Sequence, residues 1–204
     1  MRFKKIFNIS MHRSGTRSVH DLFIRSGIST IHWPRIVSGI NYENEVSGHE
    51  SDLQYVASVL APVIDMVTAV GDVPIAALYE QLDSAYSNSA FVLVLRNPAD
   101  WIRSVRGHIG DRDLYGYERV QYWRYLLGKP PSLQKVSDAE LCSAYIAHQE
   151  GVFNFFQRRD NCLVLNLLDP DCGERICRFL EIPPISLQNI ASRRAYASTS
   201  PPID

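Results

Sequence analysis

The segment Phe91-Val92-Leu93-Val94-Leu95 constrains this chain more than any other, because five apolar residues run without a polar break between Asn88-Ser89 and Asn97-Pro98. A strand on a half-solvated sheet alternates polar and apolar residues. An unbroken run implies burial on both faces, the mark of a parallel sheet covered by helices on either side. The rest of the chain must then supply those helices and further buried strands.

The hydropathy pattern does so. A short apolar run ends at Ser10 and leads through Gly15 into an amphipathic stretch from Thr16 to Ser26, whose apolar face is Val19, Leu22 and Phe23. A second strand is expected over Ile28 to His32, a helix from Leu53, and a strand in the second half of Val63 to Val70, closed by Gly71-Asp72. Pro74 introduces helical spacing from Ile75 to Tyr86, since a first-turn proline forfeits no hydrogen bond. Helices follow at about 98 to 108, 114 to 127 and 138 to 158, then a strand from Cys162 to Asn166 and a helix from Gly173 to Leu180. Residues 35 to 52 are polar and rich in Gly, Asn, Ser and Glu, which suits a surface excursion that orders on binding. Strands alternating with helices predict an α/β fold, a three-layer sandwich around a mostly parallel central sheet of about five strands.

With 204 residues and 46% hydrophobic content, the chain has enough apolar surface for one core, so residues 1–204 are expected to form a single domain. A net charge of -1 argues against nucleic acid or an anionic membrane as partner, and any bound anion must be met locally. The four cysteines, Cys142, Cys162, Cys172 and Cys177, form no close CxxC pair, so neither disulfides nor a metal site are expected. The basic start is followed by only about four apolar residues, too short for a signal peptide. No run approaches the roughly 20 apolar residues of a membrane helix, and a cytoplasmic location is the expectation.

Ligands of such sheets sit beyond the carboxyl ends of the strands. After the first strand comes Ser10-Met11-His12-Arg13-Ser14-Gly15-Thr16-Arg17-Ser18, a loop with cations, a glycine and hydroxyls that runs into a helix N-terminus, a ready anion site. Ser14 or Thr16 can equally cap that helix and leave Arg13 and Arg17 solvated. The GxxxxGK[ST] loop of nucleotide triphosphatases is absent, as is GxGxxG. At the end of the 91–95 strand stands Arg96, with Ser104 eight residues later, where guanidinium and hydroxyl can hold a second anion.

These two motifs resemble those of the sulfotransferases that use 3'-phosphoadenosine 5'-phosphosulfate (PAPS), a family with a P-loop NTPase-like fold. The resemblance covers about residues 5 to 183. It implies that Arg13-Ser14-Gly15-Thr16, with Arg17 and Ser18 behind, cradles the 5'-phosphosulfate and that Arg96 and Ser104 grip the 3'-phosphate. Asp72-Val73-Pro74 followed by Tyr79-Glu80-Gln81-Leu82 resembles the bacterial and fungal branch. The steroid and phenol enzymes of the family carry a Trp where this chain has Ser18, and a late glycine-rich loop for which only Ser192-Arg193-Arg194 stands in. The resemblance implies sulfuryl transfer from PAPS to a hydroxyl or amine of a small-molecule acceptor, leaving adenosine 3',5'-bisphosphate (PAP). Segments 35–60 and 107–136 are then acceptor-site or lid insertions. A homodimer is compatible with all of this.

Sulfuryl transfer needs a charge stabiliser, for which Arg13 is the candidate, and a base. Asp72 ranks first as base, since desolvation at a strand end would raise its pKa, although an aspartate there can instead cap the following helix. His32 ranks second, because imidazole titrates near neutral pH unaided. His12 and His20 are weaker candidates. The aromatics Tyr115, Tyr117, Tyr122, Trp123 and Tyr125 either wall an acceptor pocket or pack a helix, and Trp101 reads as core. Two other readings compete: a P-loop nucleotide or small-molecule kinase, which would depend on magnesium, and a non-catalytic nucleotide-binding protein of the same fold.

Overall fold

The computed structural model describes residues 1–126 and 132–184. Five strands form one wholly parallel sheet: β1 (Lys5–Asn8), β2 (Thr30–Ile31), β5 (Ala69–Gly71), β6 (Ser89–Leu95) and β7 (Cys162–Asn166), in the order β2-β5-β1-β6-β7. A separate hairpin pairs β3 (Ile36–Val37) with β4 (Ile40–Asn41). The helices are α1 (Thr16–Arg25), α2 (Tyr42–Glu45), α3 (Leu53–Asp65), α4 (Tyr79–Ala85), α5 (Pro98–Ile109), α6 (Tyr117–Leu126), α7 (Asp138–Phe156) and α8 (Cys172–Leu180), with a 3-10 turn over Ile75–Leu78 before α4.

The apolar run of β6 is buried on both faces, as its composition demands. Ala90, Val92 and Val94 pack with Val19, Leu22 and Phe23 of α1 and Ile176, Cys177 and Leu180 of α8. Phe91 and Leu93 point the other way, into a cluster with Val56, Leu60 and Val63 of α3, Tyr79 and Leu82 of α4, and Val152 and Phe156 of α7. Full burial of each of these large side chains contributes about 1.5–3 kcal/mol. The three-layer arrangement follows from that two-sided demand.

The order of the strands decides where a ligand can sit. From β1 the chain runs out to β2 at one edge, returns to place β5 between β2 and β1, then crosses to β6 and β7 on the other side of β1. The loops after β1, β5 and β6 therefore open onto the switch point of the sheet, where the crevice of such folds lies.

Some expectations change. The second strand shrinks to Thr30–Ile31, and α3 runs on to Asp65 with Pro62 inside it, so the third strand begins only at Ala69. Residues 35 to 52 are not a segment awaiting a ligand. The hairpin and α2 bury Tyr42, Glu43 and Val46, and Asn41 caps α2 by accepting from the Asn44 amide. α6 starts at Tyr117 rather than near 114. No helix among the described residues is long and apolar enough to cross a membrane.

Candidate active site

The loop after β1 is tied down from several directions. Asn8 Oδ1 accepts from the Ser10 amide and hydroxyl, and Ser10 Oγ in turn accepts from the Val94 amide at 2.7 Å. The His12 carbonyl accepts from the indole N–H of Trp101 at 2.9 Å, so the buried Trp101 is core that anchors the loop. Gly15 then enters α1 with φ 90°, a left-handed conformation that suits glycine, and an added Cβ would lie 2.4 Å from Leu167 Cδ1. No side chain caps α1. Ser14 and Thr16 are buried, and Ser14 Oγ lies 3.4 Å from the Tyr145 hydroxyl. The alternative in which Ser14 or Thr16 caps the helix therefore falls, and the N-terminal amides of α1 keep their donor capacity.

Two sites that are far apart in sequence meet here. Arg13 Nε donates to Ser104 Oγ at 3.1 Å, and a guanidinium N–H of Arg96 donates to the Arg13 carbonyl at 2.8 Å. Arg13 is exposed, while Arg96 and Ser104 are half-buried. Asn97 caps α5 through the Ala99 and Asp100 amides with Pro98 in its first turn, which directs Ser104 back to the loop two turns later. Two guanidinium groups, a hydroxyl and uncapped helix amides thus share one crevice, a donor set suited to a ligand with more than one anionic group.

The sequence matches the model of the Sulfotransferase domain family over residues 5–186. The chain belongs to this family. A sulfotransferase from Alicyclobacillus acidocaldarius superposes with a TM-score of 0.51 at 17% identity, covering 95% of this chain and 90% of that one. A shikimate kinase from Bacteroides thetaiotaomicron gives a TM-score of 0.52 at 16% identity, with 87% and 98% covered. Both likenesses concern the fold, which is the P-loop-like α/β architecture. No curated protein sequence matches the chain.

Across the crevice of this sulfotransferase-family chain, the two rival bases form a pair. Asp72 Oδ2 lies 3.0 Å from His32 Nε2, with both side chains 17% exposed. Asp72 does not cap the following helix with its carboxylate; its backbone carbonyl accepts from the Ile75 amide. Its expected pKa shift is corrected as well. Burial pushes the carboxyl up, but the hydrogen bond and charge of His32 outweigh it and hold the group below the usual carboxylate range. His32 also stacks on His20 at 5.3 Å. Asp72 Oδ1 and His32 Nδ1 are buried with no hydrogen-bond partner among the described residues. Arg13, in the loop after β1, and Asp72, directly after β5, both have positive φ, 67° and 70°. Such conformations cost about 1–2 kcal/mol each and persist only where the surroundings over-determine them.

The remaining candidates separate by burial. His12 is buried against the Tyr122 hydroxyl at 2.6 Å, and desolvation pushes its imidazole down to about 4, so it stays neutral. His20 donates to or accepts from Thr30 Oγ1 at 3.2 Å, and burial lowers its pKa. Arg17 is exposed and Ser18 half-buried on α1. Arg193 and Arg194 lie outside the described residues. Of the aromatic series, Tyr117 and Tyr122 are fully buried, Tyr125 bonds His148 Nδ1 at 2.7 Å, and Tyr115 and Trp123 face solvent.

The start of α6 packs on residues 34–43. The Tyr117 hydroxyl donates to the Pro34 carbonyl at 2.9 Å, while the Tyr117 amide donates to Glu43 Oε1, and Arg35 lies 3.0 Å from Glu43 Oε2. His108, one turn beyond Ser104 on α5, sets its exposed ring 6.3 Å from His12. Tyr145 is the site residue that sequence reasoning missed, since a lone tyrosine in a helix carries no signal of what it will touch.

Proposed function

We propose that this chain moves a sulfuryl group from PAPS to the hydroxyl or amine of a small-molecule acceptor, leaving PAP. The observation that carries this reading is the meeting of Arg13, Ser104 and Arg96 at 3.1 and 2.8 Å, which turns two motifs into one polyanion site. PAPS supplies a sulfuryl group already bonded to a good phosphate leaving group. The protein has to grip both phosphate ends, stabilise the growing charge and take a proton.

In this reading the Gly15, Thr16, Arg17 and Ser18 amides and the Arg13 guanidinium face the 5' end, with the Ser14 and Thr16 hydroxyls framing the loop. Arg96 and Ser104 hold the 3'-phosphate. Asp72 takes the acceptor's proton. Its Oδ2 can only accept, so His32 Nε2 carries the hydrogen between them, which leaves Oδ1 to receive the proton and His32 to orient the carboxylate. Segments 35–60 and 107–136 supply the acceptor wall. The acceptor oxygen bonds to sulfur as the sulfur–oxygen bond to the 5'-phosphate breaks. The reaction calls on no metal, nucleic acid or membrane and suits the cytoplasm.

Calorimetric titration with PAP, beside ATP with magnesium, tests this reading. Metal-independent PAP binding that is lost in Arg96→Ala is expected. Binding of magnesium-ATP alone would overturn it in favour of a P-loop kinase, and PAP binding without turnover on a broad acceptor panel would favour a non-catalytic nucleotide-binding protein.

A further inference from the structure

Helix α7 carries no motif and adds nothing to the anion site as read from sequence, yet two side chains one turn apart on it reach both strand ends that bear the site. The Tyr145 hydroxyl accepts from the Arg96 amide at 2.8 Å and donates to the Arg96 carbonyl at 3.1 Å. The same oxygen lies 3.4 Å from Ser14 Oγ in the loop after β1. Its ring stacks on Trp101 with centroids 4.5 Å apart and planes at 18°, and Trp101 in turn donates to the His12 carbonyl. Three residues on, His148 Nε2 donates to the Ile9 carbonyl at 2.8 Å, at the start of that loop.

We infer that Tyr145 is a positioning residue for the 3'-phosphate end of the cofactor site, acting through the backbone of Arg96. Arg96 has just left β6, where sheet pairing no longer holds its amide and carbonyl. One phenol hydroxyl engages both groups and so fixes the direction in which the guanidinium leaves the strand. Because that oxygen also sits beside Ser14, and the ring beneath it anchors the His12 carbonyl through Trp101, the spacing between the two halves of the site is set by one side chain. A buried hydroxyl with two backbone partners is costly to leave out, since both groups then lose a partner away from water. The inference rests on the PAPS reading above and extends it to a residue outside the crevice motifs.

Tyr145→Phe is the test, because it keeps the ring on Trp101 and removes only the oxygen. PAP and adenosine 5'-monophosphate are titrated into the wild-type protein, Tyr145→Phe, Arg96→Ala and the double variant. The expected result is a roughly tenfold loss of PAP affinity in Tyr145→Phe with little change for the monophosphate, which lacks the 3' group. The Arg96→Ala loss should also be smaller in the Tyr145→Phe background than in the wild type, because the two act on one contact. Equal losses for both nucleotides, unchanged PAP affinity, or additive effects would overturn the positioning role. A wild-type protein that fails to prefer PAP over the monophosphate would instead overturn the cofactor reading itself.

Discussion

Asp72 Oδ2 and His32 Nε2 lie 3.0 Å apart, so the two side chains that the sequence offers as rival bases act as one hydrogen-bonded pair. Asp72→Asn should lower turnover by about 10²–10⁴ while PAP affinity stays within about twofold. His32→Ala should cost less turnover and shift the acid limb of the rate profile to higher pH. With His32 gone, burial is left to push the Asp72 carboxyl up. Steady-state kinetics across pH check both, and a His32→Ala enzyme slower than Asp72→Asn would reverse the roles.

Arg96 and Arg13 touch through a side chain and a carbonyl, and the proposed function gives them different ends of the cofactor. Arg96→Ala should weaken PAP binding far more than Arg13→Ala, whose main effect should be slower transfer. Calorimetry and single-turnover kinetics separate the two effects, and equal binding losses would undo this division.

Gly15 combines a left-handed backbone with a close neighbour. Gly15→Ala should lose about 1–2 kcal/mol from the conformation alone and more from the contact with Leu167, with PAP affinity falling alongside. Adding Leu167→Ala should restore only the contact share, because it leaves φ unchanged. Melting temperatures of the single and double variants decide this, and a single variant as stable as the wild type would refute it.

His12 and His148 are buried with imidazoles pushed down from 6.5 to about 4 by desolvation. The unfolded chain binds protons on these groups below pH 6.5 and the folded chain does not. Stability should therefore be full above pH 6.5 and fall progressively toward pH 4, by up to about 3 kcal/mol for each histidine. Thermal melts at pH 7.5 and 5 test the direction. His148→Gln should flatten the slope, and a melting temperature that does not change with pH would contradict the assignment.

Much of the architecture is written in local patterns. The unbroken run at 91–95 requires a strand buried on both faces, and the Cys162–Asn166 strand and the Pro98 helix start follow from apolar runs and turn chemistry that act over a few residues. Residues 35 to 52 misled because their polar composition hides a core contribution made by Tyr42, Glu43 and Val46, each of which pays off only against distant helices. The motif spacing from Arg96 to Ser104 is legible because one helix enforces it.

What sequence alone determined is the alternation of strands and helices, the loop at Arg13-Ser14-Gly15-Thr16, and the family those motifs resemble. Only the tertiary structure decided that α1 has no side-chain cap, that Asp72 and His32 are partners, and that Tyr145 holds Arg96. The reason is physical. Local propensity depends on neighbours in the chain, whereas these contacts join residues 40 or 49 positions apart, brought together by the sheet order and the packing of α7 against the sheet's face.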